Sequence, residues 1–359
     1  MVSTSQLVPR EALQTFVQMF LTLTILIAAH CAVGAEVHYP DNPFVGSGAV
    51  FISSDGVHSY TRDNLQHQWS ALLDEHTFEP VVHQRILLVG SSRGLYALRA
   101  QDGRVLWHAE EDNEIFTPVV ANGVAYAGSR NGTLYAFDAI NGREQWRARF
   151  PGWVYSPAFF GDTLITGGQD ATLWAVDASN GEQRWLRHMP GEVVFSPVPG
   201  GPSTVLATTF SADLIAIDSA SGAQKWRLQT PTASMTPTIS GNRIFLTGFD
   251  GSLRKINLDS GALDWKAQLD GRLSVPRLVS GNQVLVSNDE GKAFVLSGED
   301  GARVAEIRFE SKLVGTAFAN RGRAVQFLRD SGQLSIVATT RIPAVRSAEV
   351  QPEGGIFHE

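Results

Sequence analysis

The chain has 359 residues, 43% of them apolar, with 34 glycines and 16 prolines, which is typical of turn-rich all-β proteins with a large core. The net charge of −7 does not favour nucleic-acid binding, since nucleic-acid-binding proteins usually present a basic face. No cluster of lysine and arginine favours an acidic membrane surface. Length alone suggests two domains, but an uninterrupted internal repeat favours one.

Residues 1–35 differ from the rest of the chain and are predicted to be a secretory signal peptide. A polar start containing Arg10 is followed by an apolar stretch and then by small residues, after which cleavage is expected. Because Glu11 stands beside Arg10, the positive segment is poor, and an uncleaved membrane anchor is the alternative. Lipidation of Cys31, the single cysteine, would call for a small residue in place of His30. Cleavage would leave a mature chain without cysteine, hence without disulfides or cysteine-bound metals.

One stretch, residues 118–146, defines the repeat. Its apolar runs are separated by Asn-Gly dipeptides, which accept positive φ and are the strongest short-range signal for a β-hairpin. The three dipeptides are Asn122-Gly123, Asn131-Gly132 and Asn141-Gly142. The unit is therefore predicted to be a four-stranded antiparallel meander whose last strand carries Trp146.

Copies of this unit cover nearly the whole chain, at a spacing of 38 to 41 residues. A proline opens each of six copies: Pro80, Pro118, Pro157, Pro197, Pro237 and Pro276. A tryptophan in the outermost strand, predicted to pack between units, recurs at Trp69, Trp107, Trp146, Trp185, Trp226 and Trp265. Residues 49–69 match the later part of a unit, and residues 314–340 match its first three strands. The copy that begins at Pro276 has Ala305 in the tryptophan position.

A period near 40 residues with four short strands per unit predicts an all-β fold, a single β-propeller over residues 36–340. Eight four-stranded blades are expected, with residues 36–43 supplying an N-terminal strand that closes the ring and removes its exposed edges. A seven-bladed ring, in which the two incomplete ends merge, is the alternative. Residues 341–359 are predicted to be a disordered tail.

A second pattern joins carboxylates to the tryptophans. It reads Ala-x-Asp-x-x-x-Gly-x-x-x-Trp at residues 136–146 and 175–185, and a Ser-Pro or Thr-Pro pair opens four of the blades. The carboxylates Asp138, Asp177 and Asp218, and Asn257 in the same position, are expected to accept backbone N–H bonds in the turn. This pattern resembles the tryptophan-docking motif of pyrroloquinoline-quinone (PQQ) repeat proteins, and the resemblance covers nearly the whole mature chain.

The resemblance implies one of two branches. Quinoprotein dehydrogenases are eight-bladed enzymes that hold PQQ and Ca²⁺ at the ring centre, whereas propellers similar to the BamB family are non-enzymatic proteins of outer-membrane assembly. This chain is shorter than the enzymes and has no adjacent cysteine pair and no long inserted loop. No catalytic, cofactor-binding or metal-binding residue is therefore assigned, and no cofactor is expected. A small PQQ- and Ca²⁺-dependent oxidoreductase and a propeller that binds small ligands or glycans are the alternatives.

Acidic, basic, aromatic and apolar side chains occupy the segments that enter the innermost strands. In a propeller these segments are expected to lie near one mouth of the central channel. The position four residues before each blade opening holds His76, Glu114, Trp153, Val193 (beside Glu192), Ala233, Arg272 and Lys312. We expect Glu114 and Glu192 to form an acidic half of a partner-binding surface. Arg272 and Lys312 would form its basic half, with Trp153 as an aromatic anchor. Solvated loop charge, and inter-blade packing for Trp153, are the alternatives.

The histidines crowd the first part of the chain without a metal-binding spacing. His58, His67, His76, His83 and His108 form no close His-x-x-x-His pair. The sequence thus predicts an exported, periplasmic scaffold that binds envelope proteins and no nucleic acid. Its contact with the membrane would be only through the N-terminus, if that segment is retained or lipidated.

Overall fold

The structure is a computed structural model that describes residues 44–46, 48–64, 66–279 and 282–308 and the strands Val314–Asn320, Arg323–Asp330 and Gln333–Arg341. These residues form eight antiparallel sheets, numbered here 1 to 8 in chain order, and they include no helix. The predicted signal peptide, the predicted closing strand and the predicted tail beyond residue 341 lie outside the described residues.

Sheets 1 to 4 are meanders in which each strand pairs with the next along the chain. The strands of sheet 1 are β1 (Phe44–Val45), β2 (Ala49–Thr61) and β3 (His67–His76). Those of sheet 2 are β4 (Val81–His83), β5 (Ile86–Ser91), β6 (Gly94–Arg99) and β7 (Val105–Ala109). Those of sheet 3 are β8 (Val119–Ala121), β9 (Val124–Gly128), β10 (Thr133–Asp138) and β11 (Glu144–Arg149). Those of sheet 4 are β12 (Ala158–Phe160), β13 (Thr163–Gly167), β14 (Thr172–Asp177) and β15 (Gln183–His188).

Sheets 5 to 8 follow the same order. The strands of sheet 5 are β16 (Val198–Pro199), β17 (Thr204–Thr208), β18 (Asp213–Asp218) and β19 (Gln224–Gln229). Those of sheet 6 are β20 (Thr238–Ser240), β21 (Arg243–Thr247), β22 (Ser252–Asn257) and β23 (Leu263–Gln268). Those of sheet 7 are β24 (Arg277–Val279), β25 (Gln283–Ser287), β26 (Lys292–Ser297) and β27 (Arg303–Arg308). Those of sheet 8 are β28 (Val314–Asn320), β29 (Arg323–Asp330) and β30 (Gln333–Arg341).

The predicted turns form where the Asn-Gly pairs stand. Between β8 and β9, Asn122 and Gly123 have φ values of 52° and 75°, the pair of positive angles that a tight hairpin turn needs. Asp138 accepts hydrogen bonds from the backbone N–H groups of Ile140 (2.9 Å) and Asn141 (3.0 Å). Asp177, Asp218 and Asn257 accept equivalent bonds in their own turns, as their position predicted.

Burial divides each four-stranded sheet into an inner and an outer part. The second and third strands are almost wholly buried, while the residues of the outermost strand are mostly exposed or half-buried. The core lies between sheets, because each cluster of buried apolar side chains joins two consecutive sheets from sheet 1 to sheet 7. Since no sheet buries its faces alone, consecutive sheets depend on one another.

The repeated tryptophans lie between sheets, each against the turn glycine of the next sheet. A Cβ atom placed on Gly181 would lie 2.7 Å from the ring of Trp146, and one on Gly222 would lie 2.7 Å from the ring of Trp185. Trp69, Trp107, Trp226 and Trp265 meet Gly103, Gly142, Gly261 and Gly301 in the same way. Four of the six indoles, those of Trp69, Trp146, Trp185 and Trp226, also donate an N–H to a carbonyl of the next sheet, at 2.8 to 3.2 Å.

The fold is a β-propeller, as the repeat predicted. Six sheets have four strands, and sheets 1 and 8 have three each among the described residues, which agrees with two incomplete ends. The strand β30 ends at Arg341, one residue past the predicted boundary. The blade number, eight or seven, stays a prediction.

Candidate partner-binding face

Two sets of loops meet at one end of the sheets. The loop between the second and third strands of a sheet lies beside the segment that enters its first strand, and a backbone hydrogen bond joins them in sheets 2 to 7. In each bond, an N–H of the loop donates to a carbonyl of the entering segment. The pairs, with the donor first, are Ser92 and His76 (2.9 Å), Arg130 and Glu114 (3.0 Å), Gln169 and Trp153 (3.1 Å), Phe210 and Glu192 (3.0 Å), Phe249 and Ala233 (2.9 Å), and Asp289 and Arg272 (3.2 Å). We call this set of loops the loop face.

The predicted positions that the structure describes lie on the loop face, with one correction of register. In sheet 5 the accepting carbonyl belongs to Glu192, whereas counting back four residues from Pro197 gives Val193. The segment before Pro197 is one residue longer than the segment before Pro157, so the count is shifted by one. Glu192 is therefore the structural equivalent of Trp153.

Sheets 2 to 4 contribute one run of aromatic side chains in edge-on and tilted contact. The ring of Phe116 lies 5.3 Å from that of Phe78 and 5.2 Å from that of Tyr155. The ring of Trp153 lies 6.3 Å from that of Tyr155. The guanidinium carbon of Arg130 lies 4.4 Å from the centre of the Trp153 ring. This run is thus a continuous aromatic strip that ends in a cation.

Arg130 joins two of the predicted residues. Its guanidinium donates to the Glu114 carboxylate at 3.1 Å while it covers the Trp153 ring. The charge of Glu114 is therefore balanced within the loop face. Of the two residues predicted to form the acidic half, Glu192 alone would still offer its charge to a partner. Surface ion pairs of this kind add little stability, but they hold side chains in place.

Sheets 5 to 7 contribute a second run. Phe210 is 41% exposed, although large aromatic side chains are usually buried. Its ring lies 6.3 Å from that of Phe195 and 6.5 Å from that of Phe249. The Arg272 guanidinium carbon lies 4.3 Å from the centre of the Phe249 ring. Arg272 is thus a cation packed on the half-buried Phe249 ring, which contacts the exposed Phe210.

Glu192 lies at the start of this second run. It is half-buried, and burial raises the pKa of its carboxyl group above the usual value. Among the described residues, none forms a hydrogen bond or an ion pair with its side chain. A half-buried carboxylate that has no hydrogen-bond or ion-pair partner is stabilised when a cation of a binding partner pairs with it.

The structure gathers four of the five predicted partner residues on the loop face, and Lys312 lies outside the described residues. Sequence reasoning missed Arg130, Phe210 and Phe249. They lie in the loops between the second and third strands, and their backbone N–H groups donate the bonds described above. They follow their acceptors by 16 to 18 residues. Only the pairing of the strands could have shown that these loops lie beside the entering segments.

In the described part of the chain, no group of three or more histidine, cysteine, aspartate and glutamate side chains is placed to hold a metal ion. Nor do these residues contain a helix that is long and apolar enough to cross a membrane.

Sheet order, tryptophan docking and the loop face define a β-propeller of PQQ-like repeats. The chain belongs to the family described as outer membrane protein assembly factor BamB, whose model matches residues 111–195 and 190–346.

Two solved structures share the fold. One is the crystal structure of BamB from Moraxella catarrhalis, with a TM-score of 0.70 and 16% identity over 87% of this chain and 97% of that chain. The other is the computationally designed Ika8 protein, with a TM-score of 0.72 and 12% identity over 82% of this chain and 95% of that chain. No curated protein sequence matches the chain significantly. At these identities the two structures establish the fold alone.

Proposed function

We propose that this protein is an exported, non-enzymatic scaffold that binds envelope proteins through its loop face, in the assembly of the outer membrane. The observation that carries the proposal is the loop face itself, where the same backbone bond recurs in six sheets while the side chains beside it differ. The family name supports the assembly role. In this proposal the protein acts in the periplasm and needs no cofactor.

The two runs of the loop face suit partner recognition. Trp153 and Phe210 are aromatic groups with part of their surface in solvent, and such groups are enriched at binding hot spots. Glu192 and Arg272 carry opposite charges, which would orient an approaching partner. Because the loops are bonded to each other through their backbones, little ordering is required on binding.

The proposal is tested with the variant Trp153→Ala combined with Arg272→Glu. We expect it to keep the thermal stability of the parent nearly unchanged and to recover envelope proteins at least about tenfold less well, since losing hot-spot residues typically costs more than 1 kcal/mol each. The measurement is quantitative mass spectrometry of proteins cross-linked to the purified chain in envelope extracts.

A matched control changes the other end of sheet 3. Ile140→Ala with Arg143→Glu alters one exposed apolar residue and one exposed arginine in the turn between β10 and β11. This turn lies at the opposite end of β10 from the loop face. Equal recovery of partners by the loop-face variant and the parent would remove the site, and equal losses in both variants would show a non-specific charge effect.

A further inference from the structure

Two histidines that are nine residues apart in sequence meet on sheet 1, away from the loop face. In the pairing of β2 with β3, His58 stands opposite Ser70, and Tyr60 stands opposite His67. Side chains two residues apart on a strand lie on the same face of a sheet, so His58 and Tyr60 share a face. The ring of His67 packs edge-on against that of Tyr60, with centroids 5.4 Å apart.

One hydroxyl group lies between the two imidazoles. The Ser70 Oγ is 2.8 Å from His58 Nδ1 and 2.7 Å from His67 Nε2. A hydroxyl has one proton to donate, so it donates to one ring at most, and the other ring must donate to it. His58 Nδ1 and His67 Nε2 thus both point at the Ser70 Oγ. The distance between the two nitrogens is at most the sum of their distances to that oxygen.

Two imidazole ligands on one metal ion also aim their nitrogens at a common centre, but at a shorter separation than this upper limit. Zn–N bonds are about 2.0 to 2.1 Å long, so a shared ion spans up to about 4.2 Å between its two nitrogens. His67 is exposed, so its ring can rotate towards His58, which is half-buried. Solvent reaches the pair from the His67 side.

We propose that His58 and His67 form a binding site for one divalent transition-metal ion of the Cu²⁺ and Zn²⁺ class, with the Ser70 hydroxyl or water completing its coordination. The site is independent of the loop face. With two protein ligands it is an open site, which leaves positions on the ion for solvent or for a ligand from outside the chain.

The test is a titration of the full chain, purified without a polyhistidine tag and stripped with a chelator, with CuCl₂ and separately with ZnCl₂. Isothermal calorimetry gives the stoichiometry and affinity. We expect one equivalent of metal, tighter binding of Cu²⁺ than of Zn²⁺, and weaker binding as the pH falls from about 7.5 to about 5.5.

Variants decide where the ion binds. His67→Ala should lower the affinity by at least about tenfold, the loss expected even for groups that only support a ligand. His188→Ala, which removes another exposed histidine bonded to a hydroxyl, should bind as the parent does. His58→Asn provides a second variant, with circular dichroism to confirm that it folds. Binding by His67→Ala equal to the parent, or no stoichiometric binding by the parent, would overturn the proposal.

Discussion

The outer edge of the sheets and the loop face are built from the same repeat, but they use it differently. At the outer edge, an indole ring meets a turn glycine of the next sheet six times, with nearly the same distances. At the loop face, a backbone bond recurs six times, but the side chains at the bond range from Arg130 to Phe210.

The difference follows from what each contact requires. An indole ring packs on a turn only if the turn residue has no Cβ, so the outer edge fixes the identity of both residues. A bond between a carbonyl and an N–H can form with almost any side chain, so the loop face keeps its geometry while its chemistry changes. Repetition thus fixes how sheets join, and variation is concentrated where a partner can bind.

The largest expected effect comes from a methyl group added at the outer edge. In Gly181→Ala, the new Cβ would lie 2.7 Å from the Trp146 ring, at a residue with φ of 75°. Positive φ costs about 1 to 2 kcal/mol for a residue with a side chain, and overpacking adds about 1 to 3 kcal/mol. We expect the free energy of unfolding, measured in urea, to fall by the sum of both effects.

Sheet 4 offers a matched control for this change. Gly161 has φ of 66°, but an added Cβ there would meet nothing within 4 Å. Gly161→Ala should therefore show only the backbone cost of about 1 to 2 kcal/mol. If both alanine variants lose the same stability, the indole contact does not restrict the turn, and the outer edge is no more demanding than the loop face.

A smaller effect separates two tryptophans of the outer edge. The Trp185 indole donates to the Ser219 carbonyl at 3.0 Å, whereas the buried indole N–H of Trp265 has no hydrogen-bond partner among the described residues. Trp185→Phe should destabilise the protein by about 1 kcal/mol more than Trp265→Phe, because only the first change removes a hydrogen bond. Urea unfolding of both variants measures the difference. Equal losses would mean that the indole contributes only its packing.

The sequence predicted the parts of the molecule that repeat. The fold followed from a period near 40, and the turns followed from the Asn-Gly pairs, since these are local signals that each copy reinforces. The turn role of Asp138 was predicted for the same reason. Three residues of the loop face, Glu114, Trp153 and Arg272, stand four residues before a blade-opening proline, whereas Glu192 stands five residues before Pro197.

The contacts between side chains could not be predicted in this way. Glu114 pairs with Arg130 across two loops, and one additional residue moves the backbone bond of sheet 5 to Glu192. His58 and His67 meet only because β2 and β3 pair in a particular register. Each contact depends on a register between distant segments, which spacing along the chain does not give.

The smallest expected effect concerns a turn carboxylate of the outer edge at acid pH. Hydrogen bonds from Ser179 and then from Arg184 lower the pKa of Asp177 to about 2. Its ordinary value is about 3.9, so the folded state holds this proton less tightly than the unfolded state. The stability that the carboxylate contributes is complete above about pH 4 and is lost as the pH falls towards about 2. Asp177→Asn has no proton to bind, so its urea midpoint should fall less than that of the parent across this window. Glu182→Gln removes a neighbouring carboxylate with the same change in net charge and serves as the control. If all three proteins show the same slope, the turn bonds hold the chain without distinguishing a carboxylate from the amide that sheet 6 uses at Asn257.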